Sequence, residues 1–490
     1  MNQKRKLQTI HSTRKKNNAS VLRHSTFLHP YGIKPFGNSF LDSDNGIKPS
    51  KISGLGQFAI LGDELLLRCL ESFHPNLLPI LSQTSKAFYI FTYHDDLWKQ
   101  LVIKEYNGNF QFKGNWRNTY KFLKCPNQFI PDVIIKTQGF YSDYLYTHWR
   151  CLSVPLDELC GVTTDNIDRR SNLSMKEFIE EYGIPNKPVI LTDVVTKWPA
   201  MKKWNFDFFC NLKSIDVYQA EAVQINFENY YQYMMNCNEE SPLYLFDKSC
   251  TFGELKSDFT VPEYFDMDLF AVLGKDRPDY RWLIIGPQRS GSTFHVDPNS
   301  TSAWNACITG RKKWIMFPPN QIPPGVFPSA DGSEVTSPVS LTEWFMNYYQ
   351  EAQNLPPELR PIEAVCNPGE IIFVPNQWWH CVMNLEPGIA LTQNFVGQEN
   401  LKQVLKFCKE KPDQISGFCG ENLYQSFLSG LKQHKPEIYK NIDTFTNCVD
   451  KSAKKSNWEL MTENQTTSLF TFDFAKDVED NVDQELSLEE

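Results

Sequence analysis

The stretch Gly291-Ser-Thr-Phe-His-Val-Asp-Pro298 decides how this chain is read. On an extended strand, residues two apart point to the same side, so His295 and Asp297 can offer a nitrogen and a carboxylate to one metal ion while Val296 points away. A second nitrogen comes from His380, far along the chain in Pro375-Asn-Gln-Trp-Trp-His-Cys-Val-Met-Asn384. Two imidazoles and one carboxylate fill one triangular face of an octahedron and leave the other positions open, which is the ligand pattern of non-haem Fe(II) oxygenases.

The His-x-acid pair alone proves little. With 9 His and 58 acidic residues in 490, such a triplet arises by chance about once per chain. His94-Asp95-Asp96 is read as that chance occurrence, an acidic pair opening the helix that continues into Leu97-Trp-Lys-Gln-Leu101.

The surroundings of His295 separate it from chance. Arg281–Ile285, Ala303–Ile308 and Lys313–Phe317 read as strands around a Gly310-Arg-Lys turn, with Pro318-Pro319 ending the run. Glu370–Val374, Trp378–Met383 and Ile389–Val396 add three more, parted by turns at Pro375-Asn376 and Glu386-Pro-Gly388. Short antiparallel strands at this spacing predict a barrel or sandwich.

These segments resemble the Jumonji-C (JmjC) oxygenases. The resemblance rests on Gly286-Pro-Gln-Arg-Ser-Gly291, His295-Val-Asp-Pro298, Thr301-Ser-Ala-Trp-Asn-Ala306, Gly310-Arg-Lys-Lys-Trp314, Trp378-Trp-His380 and Thr392-Gln-Asn-Phe395. It is nearest to the phosphatidylserine-receptor-like subgroup and runs from about Asp165 to Gly397. It implies an α+β chain whose double-stranded β-helix, a cupin-like barrel, holds Fe(II) through His295, Asp297 and His380 and uses 2-oxoglutarate and O2 as cosubstrates. The far carboxylate of 2-oxoglutarate needs a cation in an apolar barrel. Lys312 matches the motif for that role, while Arg311 and Lys313, on the opposite strand face, read as solvated charge. The resemblance further assigns Asn305, Thr392, Ser292, Tyr244 and Asn394 to hydrogen bonds with the cosubstrate; for each taken alone, a satisfied core or turn residue is an equal alternative. Trp282, Trp304, Trp314, Trp378 and Trp379 read as barrel packing. Asn376-Gln377 departs from the pattern, since the subgroup carries small glycine residues there.

Towards the N-terminus, Leu61–Leu70, Leu77–Leu81, Ser85–Phe88 and Asp96–Leu101 place apolar residues at helical spacing. They resemble an F-box, the helical module that docks on the adaptor of cullin-based ubiquitin ligases, with Leu65, Leu66, Leu70 and Leu78 as the expected docking face; the alternative is an ordinary helical bundle packed on the barrel. The expected organisation is a disordered basic arm over 1–53, an F-box-like domain over 54–125, the JmjC domain over 135–400, a helical extension over 401–460 and an acidic disordered tail over 461–490. In the family such extensions support dimerisation, so a homodimer is an expectation. Residues 1–53 carry ten Lys or Arg against two Asp, and Lys4-Arg-Lys6 with Arg14-Lys-Lys16 are equally a nuclear import signal or solvated charge. A nuclear, and also cytoplasmic, location is the expectation.

The formal net charge of −9 argues against a broad basic surface for nucleic acid and for a protein substrate. No apolar run long enough for a membrane span occurs, and the N-terminus is polar. Thirteen cysteines without a Cys-x-x-Cys pair read as reduced core thiols, Cys307 and Cys381 among them.

Two functions are expected from these readings. One is a dioxygenase of protein side chains coupled to F-box recruitment, with lysyl hydroxylation ahead of N-methyl demethylation because the carboxylate ligand is Asp rather than the Glu common in histone demethylases and no zinc-type chromatin reader accompanies the barrel. The other is a ubiquitin-ligase substrate receptor whose barrel only binds.

Overall fold

Eight strands form the barrel: β1 Arg281–Gly286, β2 Gly291–His295, β3 Ser302–Thr309, β4 Lys312–Phe317, β5 Ile362–Cys366, β6 Ile371–Val374, β7 Trp379–Asn384 and β8 Gly388–Phe395. In this computed structural model, which describes residues 28–46, 54–160, 164–249 and 253–446, they divide into two facing sheets. One runs β6-β3-β8-β1 and the other β5-β4-β7-β2, and every barrel pairing is antiparallel. Along the chain the strands alternate between the two sheets except at β4 and β5, which pair within one sheet, and this is the double-stranded β-helix.

The β6-β3-β8-β1 sheet is widened at both edges. Val189–Leu191 and then Arg169–Arg170 add beyond β6, while Leu245–Asp247, Tyr218–Ala220 and Val223–Ile225 add beyond β1. Gly310 makes the β3–β4 turn possible: it holds φ +74, and a Cβ there would come within 2.6 Å of the Pro387 carbonyl oxygen. Between the sheets lie Ala303, Cys307, Trp314, Met316, Val374, Trp378 and Val382. The outer face of the β5-β4-β7-β2 sheet is covered as well, with Phe294, Ile315, Phe317 and Cys381 packed against Trp344 and Phe345 of the helix Leu341–Asn347.

That covered outer face corrects one expectation. Lys313 is not solvated: its Nζ lies 2.6 Å from Glu363 Oε2, with both side chains almost wholly removed from solvent. Strand alternation does put it opposite Lys312, but the opposite face is a second core. Arg311 keeps the expected surface role, with Nε donating to Glu386 Oε1 at 2.7 Å.

Among the helices of the first third are α1 Asp63–Glu71, α2 Leu77–Leu81, α3 Lys86–Thr92, α4 Asp95–Tyr106 and α5 Asp143–Ser153. Acidic residues open α1 and α4, and the Ser85 hydroxyl caps α3 by accepting from the Phe88 N–H. Leu66, Leu70 and Leu78 are fully buried, in one core with Phe91, Trp116, Tyr218 and Tyr230. Of the expected docking leucines, only Leu65 is exposed. Among the described residues, these helices and the barrel fall in one compact unit that ends at Pro436. A buried ion pair ties α4 to the barrel's flank, with Lys99 Nζ 2.7 Å from Glu239 Oε2.

The expected arm over 1–53 is structured where it is described. A helix spans Asn38–Ser43, Ile33 is buried, and the Lys34 N–H donates to the Phe140 carbonyl. The basic clusters at Lys4-Arg-Lys6 and Arg14-Lys-Lys16 and the acidic tail lie outside the described residues. The extension after the barrel is helical over Leu401–Glu410 and Leu423–His434, and a second unit beginning at Glu437 is described only for the helix Pro436–Thr446. Cys307 and Cys381 are buried free thiols, and among the described residues no helix is long and apolar enough to cross a membrane.

Candidate metal centre and cosubstrate pocket

The antiparallel pairing of β7 with β2 sets His380 directly opposite His295, and their ring centroids are 4.2 Å apart. Each ring is held by its own strand: His295 Nδ1 donates to the Thr293 carbonyl at 2.7 Å and His380 Nδ1 to the Trp378 carbonyl at 3.0 Å. A carbonyl can only accept, so these contacts place the proton on Nδ1 and leave Nε2 as a free lone pair in both rings. Burial pushes the His380 imidazole well below its ordinary pKa and keeps it neutral.

Asp297 lies just past the end of β2 rather than on it. Pro298 stops the strand, and Asp297 keeps an extended conformation (φ −60, ψ 142) that still carries its side chain towards the two histidines. One ligand atom each from His295, Asp297 and His380 falls within 4.8 Å of the others. Asp297 Oδ2 is buried without a hydrogen-bond partner, and burial, opposed by His295, raises its carboxyl pKa. An orphaned buried carboxylate oxygen beside two imidazole lone pairs fits a divalent cation and little else.

The triad opens on a cavity of about 80 Å3 that Tyr244, Ser292, Asn305, Thr392 and Asn394 also line. Every cosubstrate residue expected from the sequence is therefore brought to one place except Lys312, which stands behind the wall. Its Nζ donates to Tyr244 Oη at 3.0 Å and to Asn384 Oδ1 at 2.7 Å, and the side chain is almost fully buried. None of the described carboxylates pairs with it. A buried ammonium with only neutral partners lacks its anion.

The polar wall is uneven in its commitments. Asn305 Oδ1 is buried and unpartnered. The Thr392 hydroxyl donates to the Trp304 carbonyl at 2.9 Å and Asn394 Nδ2 to Thr301 Oγ1 at 2.8 Å, so Thr392 presents only its acceptor lone pairs to the cavity. Trp314, expected as packing alone, also lines the cavity and stacks on His380 with ring planes 25° apart. Trp304, Trp378 and Trp379 are buried as expected, while Trp282 packs half-buried against Phe246.

Asn384 was missed from the sequence. It sits four residues after His380 on β7, hence on the same face, and its Nδ2 donates to Ser290 Oγ at 2.8 Å while its Oδ1 orients Lys312. The Asn376-Gln377 departure is accommodated by the backbone. Gln377 adopts φ +63, the left-handed conformation that glycine takes most easily.

A larger cavity of about 450 Å3 adjoins the triad and shares His295 and Ser292 with the small one. Glu221, Glu240 and Ser340 stand on its walls. Arg289 does too, but its guanidinium is turned to the carbonyls of Cys151 and Val154.

Comparison with known proteins agrees with this geometry. Residues 205–400 match the family described as the Cupin-like domain. The chain is 44% identical over 424 residues to the arginine-specific demethylase JMJ22 of Arabidopsis thaliana, covering 84% of this chain and 83% of that protein. It is 37% identical over 373 residues to the lysine-specific demethylase JMJ21 of the same plant, covering 72% of this chain but 38% of that protein. It is 35% identical over 296 residues to the bifunctional arginine demethylase and lysyl-hydroxylase psr-1 of Caenorhabditis elegans, covering 57% of this chain and 71% of that protein. With a double-stranded β-helix, a His-Asp-His triad at its centre and two of these relatives, JMJ22 and psr-1, matched over more than two thirds of their length, the chain belongs to the JmjC family of iron- and 2-oxoglutarate-dependent oxygenases.

Proposed function

We propose that this enzyme oxygenates basic side chains of proteins, and that removal of an N-methyl group from arginine is its first activity. His295, Asp297 and His380 hold the iron, and Lys312 receives the distal carboxylate of 2-oxoglutarate with Tyr244 beside it. Asn305, Ser292, Thr392 and Asn394 supply the remaining polar contacts. When bound there, iron and 2-oxoglutarate would supply the activation of O2, with one oxygen atom ending in a substrate C–H bond and the other in succinate as CO2 is released. The residues of the chain position the reactants: Nδ1 hydrogen bonds lock both imidazoles, and the buried Trp314 covers one face of His380.

Glu221 carries the substrate assignment. It stands on the wall of the larger cavity that His295 also lines and holds φ +49, an unfavourable backbone conformation for a non-glycine residue. Burial raises its carboxyl pKa and its Oε1 accepts from the Tyr244 N–H; in its ionised form the carboxylate favours a cationic substrate. Hydroxylation of a lysine carbon and of an arginine N-methyl carbon share the same insertion; in the second case the product breaks down to formaldehyde. The extensive match to a protein named for arginine demethylation supports the second outcome, and the relative named for both activities supports lysyl hydroxylation as the alternative.

The test uses purified enzyme, iron, 2-oxoglutarate and paired peptides bearing lysine or dimethylarginine, read by mass spectrometry. Loss of methyl groups with release of formaldehyde supports arginine demethylation. Gain of one oxygen on lysine alone supports the alternative, and no change in either peptide set contradicts the basic-substrate reading.

A recruitment role for the helices is a second reading. Ile60, Leu65, Leu77 and Ile80 are exposed on or beside α1 and α2, and such a patch suits docking on a cullin-ligase adaptor. Co-purification with the adaptor should be lost in Leu65→Asp combined with Leu77→Asp; unchanged binding contradicts the role.

A further inference from the structure

We propose a second metal site, of zinc type, formed by His94, Asp96 and His148 with Glu240 as fourth ligand, where the N-terminal helices meet the barrel's flank. His94 immediately precedes α4, Asp96 lies in its first turn, His148 is on α5, and Glu240 belongs to the segment after the helix Phe227–Asn236. Four residues from three parts of the chain thus converge on one point, and one ligand atom each from His94, Asp96 and His148 lies within 4.8 Å of the others.

The distances separate a shared cation from a set of hydrogen bonds. Asp96 Oδ2 stands 3.6 Å from His94 Nε2 and 3.8 Å from His148 Nδ1, beyond good hydrogen-bond length to either ring. Four ligands held at about 2.0–2.1 Å around zinc lie about 3.3 Å from one another, so both separations need only a small contraction. The two rings meet edge to face with centroids 4.8 Å apart, and a nitrogen of each lies within reach of one shared ion. Glu240 Oε2 is 2.7 Å from His148 Nδ1, a hydrogen bond that opens when the nitrogen takes a metal instead. The other Glu240 oxygen is fixed by the Ser340 hydroxyl.

Charge and alternative uses point the same way. In the metal-free protein, although burial opposes it, the Glu240 hydrogen bond and the Asp96 charge raise the His148 pKa, so a metal would displace a proton there; once bound, two imidazoles and two carboxylates would balance a 2+ ion. Asp95 is excluded because both its oxygens accept backbone N–H groups from Trp116 and Arg117. His29, close by, is excluded through Nδ1, which accepts from the Tyr31 N–H. His94, at the N-cap of α4, makes no side-chain capping bond, so capping does not account for its position. Nitrogen and oxygen donors in a four-coordinate set suit zinc. Because Glu240 also lines the cavity beside His295, a metal here would clamp the helices to the wall of the substrate cavity.

The test is cobalt titration of full-length, metal-stripped protein carrying Asp297→Ala, so that uptake at the barrel triad is suppressed. One equivalent bound with the intense visible absorption of four-coordinate cobalt supports the site, as does loss of that signal in the added Asp96→Asn variant. Uptake of no cobalt, or a signal unchanged by Asp96→Asn, overturns it. Should Asp96→Asn fail to fold, zinc titration of the Asp297→Ala protein decides: a melting temperature rising with zinc concentration supports the site, and no rise overturns it.

Discussion

His295 and His380 are cross-strand partners, each with Nδ1 bound to the carbonyl two residues before it, so that both Nε2 lone pairs are free at the mouth of one cavity. A metal site built this way depends on the β2–β7 register as much as on the ligands, and its weak points can be named.

Gly291 is one of them. A Cβ there would sit 1.9 Å from the Val382 carbonyl oxygen, a backbone atom that cannot move without parting β2 from β7. Gly291→Ala should destabilise the protein by about 1–3 kcal/mol and weaken iron binding, because His295 and His380 lose their register. Gly37→Ala, where nothing lies within 4 Å of the added carbon, should do neither. Iron content and urea denaturation of both variants check this.

Lys312→Ala should abolish 2-oxoglutarate turnover and leave iron binding in place, since the ammonium is lost and the three ligands remain. Tyr244 and Asn384 keep the pocket polar but bring no charge. Turnover of the cosubstrate and iron stoichiometry measured on one preparation check it; retained turnover would mean that another cation takes the carboxylate.

Lys313 should behave quite differently from its neighbour. Lys313→Met leaves Glu363 buried without its cation, which should cost about 3–5 kcal/mol of stability. Adding Glu363→Leu should recover part of that loss, although Tyr349 and Gln353 then lose their acceptor. Denaturation midpoints of the two singles and the double form the cycle that measures the pair.

Gln377→Gly should stabilise the protein by about 0.5–1 kcal/mol, because the native φ of +63 is strained for glutamine and free for glycine. Activity should be unchanged, since His380 is placed by β7 and not by the turn. Thermal melting of the two proteins gives the answer.

The barrel was legible because its strands are apolar runs cut by Pro and Gly: Arg281–Ile285 and Trp378–Met383 are found within a residue or two of their observed ends. The triad was legible because His-x-Asp before Pro298 and a distant Trp-Trp-His occur together. What escaped was whatever depended on the second covered face. Period-two alternation told that Lys312 and Lys313 point apart, but not that the helix Leu341–Asn347 buries the side Lys313 points to. The same limit applies to Leu66, Leu70 and Leu78, whose helical spacing marks an apolar face without saying whether a partner or the chain itself covers it. In the sequence His94 and Asp96 read as a chance pair, because His148 and Glu240 join them only in three dimensions.

The most direct measurement is iron content together with 2-oxoglutarate-dependent CO2 release in Asp297→Ala. The substitution removes the one anionic ligand and leaves two neutral imidazoles facing a 2+ ion. Bound iron and CO2 release should both fall to background, while the melting temperature of the metal-free protein holds or rises, since the orphaned buried oxygen of Asp297 is gone. CO2 release at the wild-type rate in this variant would contradict the assignment of Asp297, and with it the account of the site.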